Sequence, residues 1–204
     1  MIHDYTKSII KELNCDVWVE TGIGGFTGGS REKIHNWFPE IIQYEVDILQ
    51  KTIDNLMSMN LPKKFIFEQG NSPEFLKKHI NDISNYNLPI FFLDAHNDYD
   101  NTDYWPLREE LKVILDLQKC VIVIDDFKHP FKEFNYDSYT VDGKVISNDL
   151  NHIKDLLKKA KIKSVYHCKE TIWNPDLLGN MGVVFIFKGI VYNNDNFFDE
   201  ESVN

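Results

Sequence analysis

Short apolar runs alternate along the chain with longer stretches whose apolar residues recur every three or four positions. The runs fall at residues 17–20, 41–45, 65–68, 89–94 and 120–126, and their length and β-branched or aromatic content predict strands. Those at 89–94 and 120–126 are apolar almost throughout, as strands covered on both faces should be. The helical period falls at 4–14 with Tyr5, Ile9, Ile10 and Leu13, and at 31–38, 73–83 and 106–117. It also falls at 47–59, with Ile48, Ile53, Leu56 and Met57 facing inward. Ser72 ahead of Pro73 reads as an N-cap followed by proline at the first helical position. Past residue 126 the pattern changes. Residues 127–147 are aromatic and mixed in charge, with Asp142-Gly143 as a hairpin turn. Ser147 is expected to cap a helix running to about residue 160. Strands at 162–168 and 182–188 complete the set, the last returning antiparallel beside the sixth. Strands alternating with helices predict a parallel sheet with right-handed crossovers.

The predicted strand ends break the apolar pattern in one way: they carry acids, namely Glu20, Glu45, Glu68, Asp94 and the doubled Asp125-Asp126. Directly after Glu20 comes Thr21, then a glycine-rich turn from Gly22 through Gly24 to Gly29, and then a helical pattern at Arg31. Glycine lets a ligand approach the main chain, and a helix opening just afterwards aims unpaired N–H groups at it. In open α/β sheets ligands bind at the carboxyl ends of strands, near the switch in strand order. Like charges gathered on such a rim repel one another unless something positive sits among them. The pattern therefore predicts a cationic ligand, a metal ion, or both. Glu45 stands where an acid takes the two ribose hydroxyls of a nucleotide cofactor. The turn lacks the full G-x-G-x-x-G pattern, since Thr27 stands where the third glycine belongs. Glu20 would repel a pyrophosphate and suits a sulfonium and an amino group.

Composition narrows the picture further. A chain of 204 residues predicts one domain, taken here as 1–192 with a variable lid or substrate region at 127–147. Residues 193–204 read as a polar tail, frayed unless Phe197 and Phe198 dock. The net charge of −10 disfavours nucleic acid and anionic lipid as partners. Cys15, Cys120 and Cys168 are odd in number and widely spaced, which suits reduced thiols and a cytoplasmic setting. No leader-type segment stands at the start, and no apolar run approaches the roughly 20 residues of a membrane helix. The pattern leaves oligomeric state open, a homodimer included.

With these residues in view, the chain resembles the class I S-adenosylmethionine-dependent methyltransferases, and within them the metal-dependent O-methyltransferases of the catechol type. Val19-Glu20-Thr21-Gly22 is similar to the family's E-x-G motif, which lines the methionine part of the cofactor. Tyr44-Glu45 resembles its ribose-binding acid. Gly70-Asn71-Ser72 resembles the segment along the adenine. Leu93-Asp94-Ala95-His96 and Ile124-Asp125-Asp126 resemble its metal-binding segments. The resemblance implies a Rossmann-like, doubly wound, mostly parallel seven-stranded α/β sheet with an antiparallel last strand and helices on both faces. It implies S-adenosyl-L-methionine as methyl donor and Mg²⁺ or Mn²⁺ held by Asp94, Asp125 and Asp126. Ala95 separates Asp94 from His96, Asn97 stands near the family's lysine, and Asp126 replaces an asparagine. Asp94-Ala95-His96 followed by Trp105-Pro106-Leu107 is similar to small methyltransferases of glycan and secondary-metabolite pathways, which biases the acceptor toward a sugar or other small molecule.

The resulting expectation is metal-assisted O-methylation of a hydroxyl, with His96 as the first candidate base, His129 as the second, and Asp94 beside them. Trp105, Phe127, Phe131, Phe134 and Tyr136 are expected either to wall the acceptor side or to pack in the core. Two other classes stay open: a non-catalytic S-adenosylmethionine-binding protein, and a nucleotide-dependent oxidoreductase on a related fold.

Overall fold

A computed structural model describes residues 4–23, 30–58, 64–95, 105–170, 173–174, 179–192 and 196–204. The helices are α1 (Asp4–Leu13), α2 (Ser30–Trp37), α3 (Gln50–Ser58), α4 (Ser72–Ile83), α5 (Leu107–Ile114) and α6 (Leu150–Lys159). Interleaved with them are β1 (Val17–Thr21), β2 (Ile42–Asp47), β3 (Phe65–Gln69), β4 (Pro89–Leu93) and β5 (Cys120–Ile124). A hairpin follows, β6 (Ser138–Val141) with β7 (Lys144–Ser147), and then β8 (Ser164–Cys168). The two-residue pair β9 (Trp173–Asn174) and β10 (Gly179–Asn180) precedes β11 (Val184–Lys188) and β12 (Phe198–Ser202).

The main sheet runs β12-β8-β11-β5-β4-β1-β2-β3. The pairings among β1 to β5 are parallel, and β11 lies antiparallel between β5 and β8. This is the doubly wound arrangement expected from the alternating pattern, with one correction: eight strands rather than seven. The eighth is β12, from the segment read as a polar tail, paired antiparallel with β8 from Phe198↔Cys168 to Ser202↔Ser164. Phe198 and Val203 are buried, so the tail is part of the core layer.

Period-two alternation divides the core. Val17, Val19, Phe91 and Ile122 meet α4, α5 and α6 on one face, through residues such as Leu76, Leu111 and Ile153. Trp18, Phe92, Val123 and Phe185 meet α1 and α2 on the other, through Ile9, Ile10 and Ile34. Trp18 stacks on Phe92 with ring centroids 5.5 Å apart. Burying aromatic pairs of this size contributes several kcal/mol of order-of-magnitude driving force.

The structure corrects several local expectations. β2 continues past Glu45 to Asp47, whose Oδ1 accepts the Leu49 N–H and turns the chain, so α3 opens at Gln50. That phase buries Ile53 and Leu56 but leaves Ile48 in the turn and Met57 70% exposed, one helical step off the inner face. Asn71 stands at the N-cap position of α4 without a side-chain capping bond, and Ser72 lies inside the first turn. α6 is capped by Asp149, whose side chain accepts the His152 N–H, and not by Ser147. The hairpin turn is borne out: Asp142 and Gly143 both have positive φ, 50° and 74°, as a two-residue hairpin turn needs. No helix among the described residues is long and apolar enough to cross a membrane.

Candidate functional site

The strand order reverses between β1 and β4, the neighbours from which the chain winds outward in both directions. Ligands bind at such a switch, outside the strands' carboxyl ends. Here the backbone closes tightly. The Asp94 N–H donates to Thr21 O at 3.0 Å, and the Gly22 N–H donates to Val46 O at 3.0 Å. Gly22 has φ +75°, and a Cβ on it would stand 2.2 Å from the Asp94 carbonyl oxygen. Glycine is required on both counts. The rest of the glycine-rich turn, Gly24 included, lies outside the described residues.

Two carboxylates face each other at this end of the sheet. Glu20 and Glu45 are direct partners in the β1–β2 register, so their side chains share a face, and each is 1% exposed. Glu20 accepts from the Trp18 indole N–H at 3.0 Å and from the Ser30 hydroxyl. Burial pushes its carboxyl up to about 7, opposed by the Ser30 and Trp18 hydrogen bonds and reinforced by the charge of Asp94. Glu45 differs in kind. Neither of its oxygens has a hydrogen-bond partner among the described residues. Burial, then the charge of Glu20, hold its carboxyl well above the ordinary range, while Arg31 acts in the opposite sense. The Arg31 guanidinium approaches to 3.9 Å and is itself nearly buried. A buried carboxylate with both oxygens open is costly, and such groups mark places where a ligand completes the set.

The acids do not all converge. β3 pairs Val46 with Glu68, and Val46 belongs to the face that packs on α4. Glu68 therefore points away from Glu45, takes an ion pair with Lys78 of α4 at 2.7 Å and lies 2.8 Å from His79 Nε2 of the same helix. Burial pushes its carboxyl up, but these two partners outweigh it and leave it below the usual carboxylate range. Gly70 donates its N–H to Asp47 O, with Asn71 and Ser72 opening α4 beside it. Asp94 lies just past β4 and is half-buried.

The metal expectation fits poorly. Among the described residues no three His, Cys, Asp or Glu side chains are grouped so as to hold an ion, the trio Asp94, Asp125 and Asp126 included. Asp125 turns its Oδ1 to the Asp126 N–H, and Asp126 is held at φ 51° while Asn148 Nδ2 donates to the carbonyls of both. The pair shapes the turn after β5.

His129, the second candidate base, is packed against β12. It is 3% exposed, its Nδ1 accepts the Phe131 N–H, and its Nε2 faces Asp199 of β12 at 3.5 Å. Burial, then the charges of His167 and Lys132, lower it to about 4, against the pull of Asp199. His96 lies outside the described residues. Of the aromatic set, Phe127 is core, Phe134 packs edge-on against His129, and Phe131 is 66% exposed. Trp105 stacks on His152 at 5.5 Å and meets Tyr139 of the hairpin edge-on at 5.1 Å. That contact ties the start of α5 to the inserted hairpin and to α6.

Sequence reasoning missed Arg31 and Asp47. Arg31 was legible only as the residue where a helix begins. Asp47, on the same face as Glu45 by alternation, was hidden by ending the strand too early.

No family model matches the chain, and no curated protein matches it in sequence. Solved structures do match. A Thermobifida fusca protein provisionally described as a methyltransferase is 12% identical, with TM-score 0.60 over 91% of this chain and 77% of that one. A Klebsiella pneumoniae protein provisionally described as an O-methyltransferase is 12% identical, with TM-score 0.59 over 93% and 82%. The 1,6-didemethyltoxoflavin-N1-methyltransferase of Burkholderia thailandensis, solved with 1,6-didemethyltoxoflavin and S-adenosylhomocysteine bound, is 13% identical, with TM-score 0.55 over 90% and 76%. At these identities the likeness is one of fold: the chain shares the architecture of these solved structures.

Proposed function

We infer that a chain with this architecture is an S-adenosylmethionine-dependent methyltransferase, its donor lying across the ends of β1, β2 and β4. The observation that carries the reading is Glu45, a carboxylate removed from water whose two oxygens are open among the described residues. Two vicinal hydroxyls, as on a ribose, would satisfy both with charge-assisted hydrogen bonds. Glu20, ionised, would favour the donor's positive groups. Gly22 lets the β4 backbone close against the turn without a side chain between them. The solved relative with S-adenosylhomocysteine bound supports the same ligand class on this fold.

When bound, S-adenosylmethionine supplies an electrophilic methyl on sulfur. The protein's part is to align the acceptor atom with that carbon and sulfur and to exclude water, which supplies much of the rate. We take the acceptor to be a hydroxyl of a sugar or other small molecule. The support is the Asp94-Ala95-His96 and Trp105-Pro106-Leu107 segments, together with the aromatic contact of Trp105 with Tyr139 beside the inserted hairpin. The fold does not by itself select oxygen, since one relative is an N1-methyltransferase by name. No step is assigned to a divalent ion.

Calorimetry with S-adenosylmethionine, S-adenosylhomocysteine and NADH tests the donor. Binding of the first two and not the third is expected, and Glu45→Ala should weaken it by about 10- to 100-fold, the worth of a lost charged acceptor. Absence of binding by either sulfur compound sinks the reading. Transfer of labelled methyl to a panel of sugars, polyols and catechols, with and without a chelator, then tests the acceptor and the metal separately.

A further inference from the structure

Glu20 and Glu45 stand opposite each other with almost no water, and two buried carboxylates at that spacing resist ionising together. A protonated Glu45 has one oxygen committed to its own hydrogen, whereas a carboxylate accepts on both. Whatever shifts Glu45 toward the carboxylate therefore prepares it for a pair of hydroxyls. The groups that face it can be named by element. β1 contributes Glu20, which in turn feels the charge of Asp94 just past β4. β2 itself contributes Asp47, and β3 contributes the uncharged Phe67. α3 turns Ile53 and Leu56 inward. α2 contributes the cation, Arg31.

We propose that Arg31 is a positioning residue of the donor site: at 3.9 Å from Glu45 it draws that side chain toward the carboxylate by charge, leaving both oxygens open to accept a diol. The distance matters. At 3.9 Å the guanidinium acts through its field without forming a hydrogen bond to Glu45, whose oxygens have no partner among the described residues. In so dry a place a charge at this range is worth far more than at the surface. Arg31 is the second residue of α2, so that helix carries the cation into place.

The inference rests on the donor reading above, and the test separates the two. Affinity for S-adenosylhomocysteine, which lacks the sulfonium charge, is measured from about pH 5.5 to about pH 9. In the wild type it should rise with pH to a plateau. Arg31→Met should move that curve at least about one unit to higher pH, so that affinity lost at neutral pH returns in alkali. Arg31→Lys should restore most of it, and in Glu45→Gln, where only the Glu20 titration remains, Arg31→Met should shift the curve no further. A loss of the same factor at every pH, or an unshifted curve, overturns the proposal. A ligand-free arm follows the ¹³C-carboxyl signal of Glu45: it should titrate at higher pH in Arg31→Met than in the wild type, and an unchanged midpoint overturns the proposal. If the wild type binds no S-adenosylhomocysteine while Glu45 still shifts with Arg31, the donor reading fails and the charge coupling stands.

Discussion

Gly22 sits against the backbone just past β4, and it shows how a single hydrogen in place of a methyl sets a site. Any L-side chain there meets both a disfavoured φ and the Asp94 carbonyl oxygen at 2.2 Å. The backbone term alone costs about 1–2 kcal/mol, and the overlap forces β4 and the turn apart. Gly22→Ala should therefore lower stability by about 2 kcal/mol or more and weaken donor binding further, read by urea unfolding and calorimetry. A variant as stable as the wild type would mean that the close approach is not maintained. This glycine was legible in the sequence because the glycine-rich turn followed a strand ending in an acid. Arg31 was not, because its importance depends on a helix carrying it over Glu45, which no local pattern states.

At the scale of elements, the inserted hairpin and the last strand are instructive opposites. The hairpin was readable from Asp142-Gly143 alone, since turn chemistry is local. β12 was hidden by its own composition: Asp199, Glu200 and Glu201 look like a solvated tail. Charged residues are what an edge strand needs to avoid pairing with other chains. Two of them also face inward, Asp199 toward His129 and Glu201 toward His167, whose Nε2 lies 2.8 Å from the Glu201 carboxylate. Phe198 anchors the strand among Tyr5, Tyr166, Phe185, Phe187 and Tyr192. Phe198→Ala should cost about 3–5 kcal/mol, the range for a buried aromatic, and a thermal midpoint within error of the wild type would show the strand to be dispensable. Burial lowers both His129 and His167 to about 4. The unfolded chain then takes up protons that the folded chain refuses. Their contribution is full above the unfolded value near 6.5 and is lost as pH falls through about 4. Urea midpoints should drop over that window, and less steeply in His167→Asn.

For the molecule as a whole, what sequence could not decide was how the acids divide between the faces of the sheet. Shifting a strand by one residue turns every side chain to the other face, and nothing in residues 65–68 declares that register. Glu68 consequently went to α4 while Glu20 and Glu45 stayed together. That division concentrates the cost of ionisation in one pair and links folding, pH and the guest. With Glu20 raised to about 7 and Glu45 raised as well, the folded chain binds protons that the unfolded chain releases. The stability they contribute is present below the ordinary carboxylate value near 4.5 and is lost as pH rises through about 7. Between about pH 6 and about pH 8 the ligand-free protein should therefore lose thermal stability, and Glu20→Gln should flatten the fall. A positively charged guest offsets it. Any ligand that binds only the folded chain stabilises by mass action, but one carrying an extra positive charge gains more as the pair ionises. At the same free concentration of each, the stabilisation by S-adenosylmethionine should grow relative to that by S-adenosylhomocysteine as pH rises across this range. If the two compounds raise the midpoint in a ratio that does not change with pH, the paired acids are not what discriminates donor from product, and the preference must come from contacts to the sulfur substituents instead.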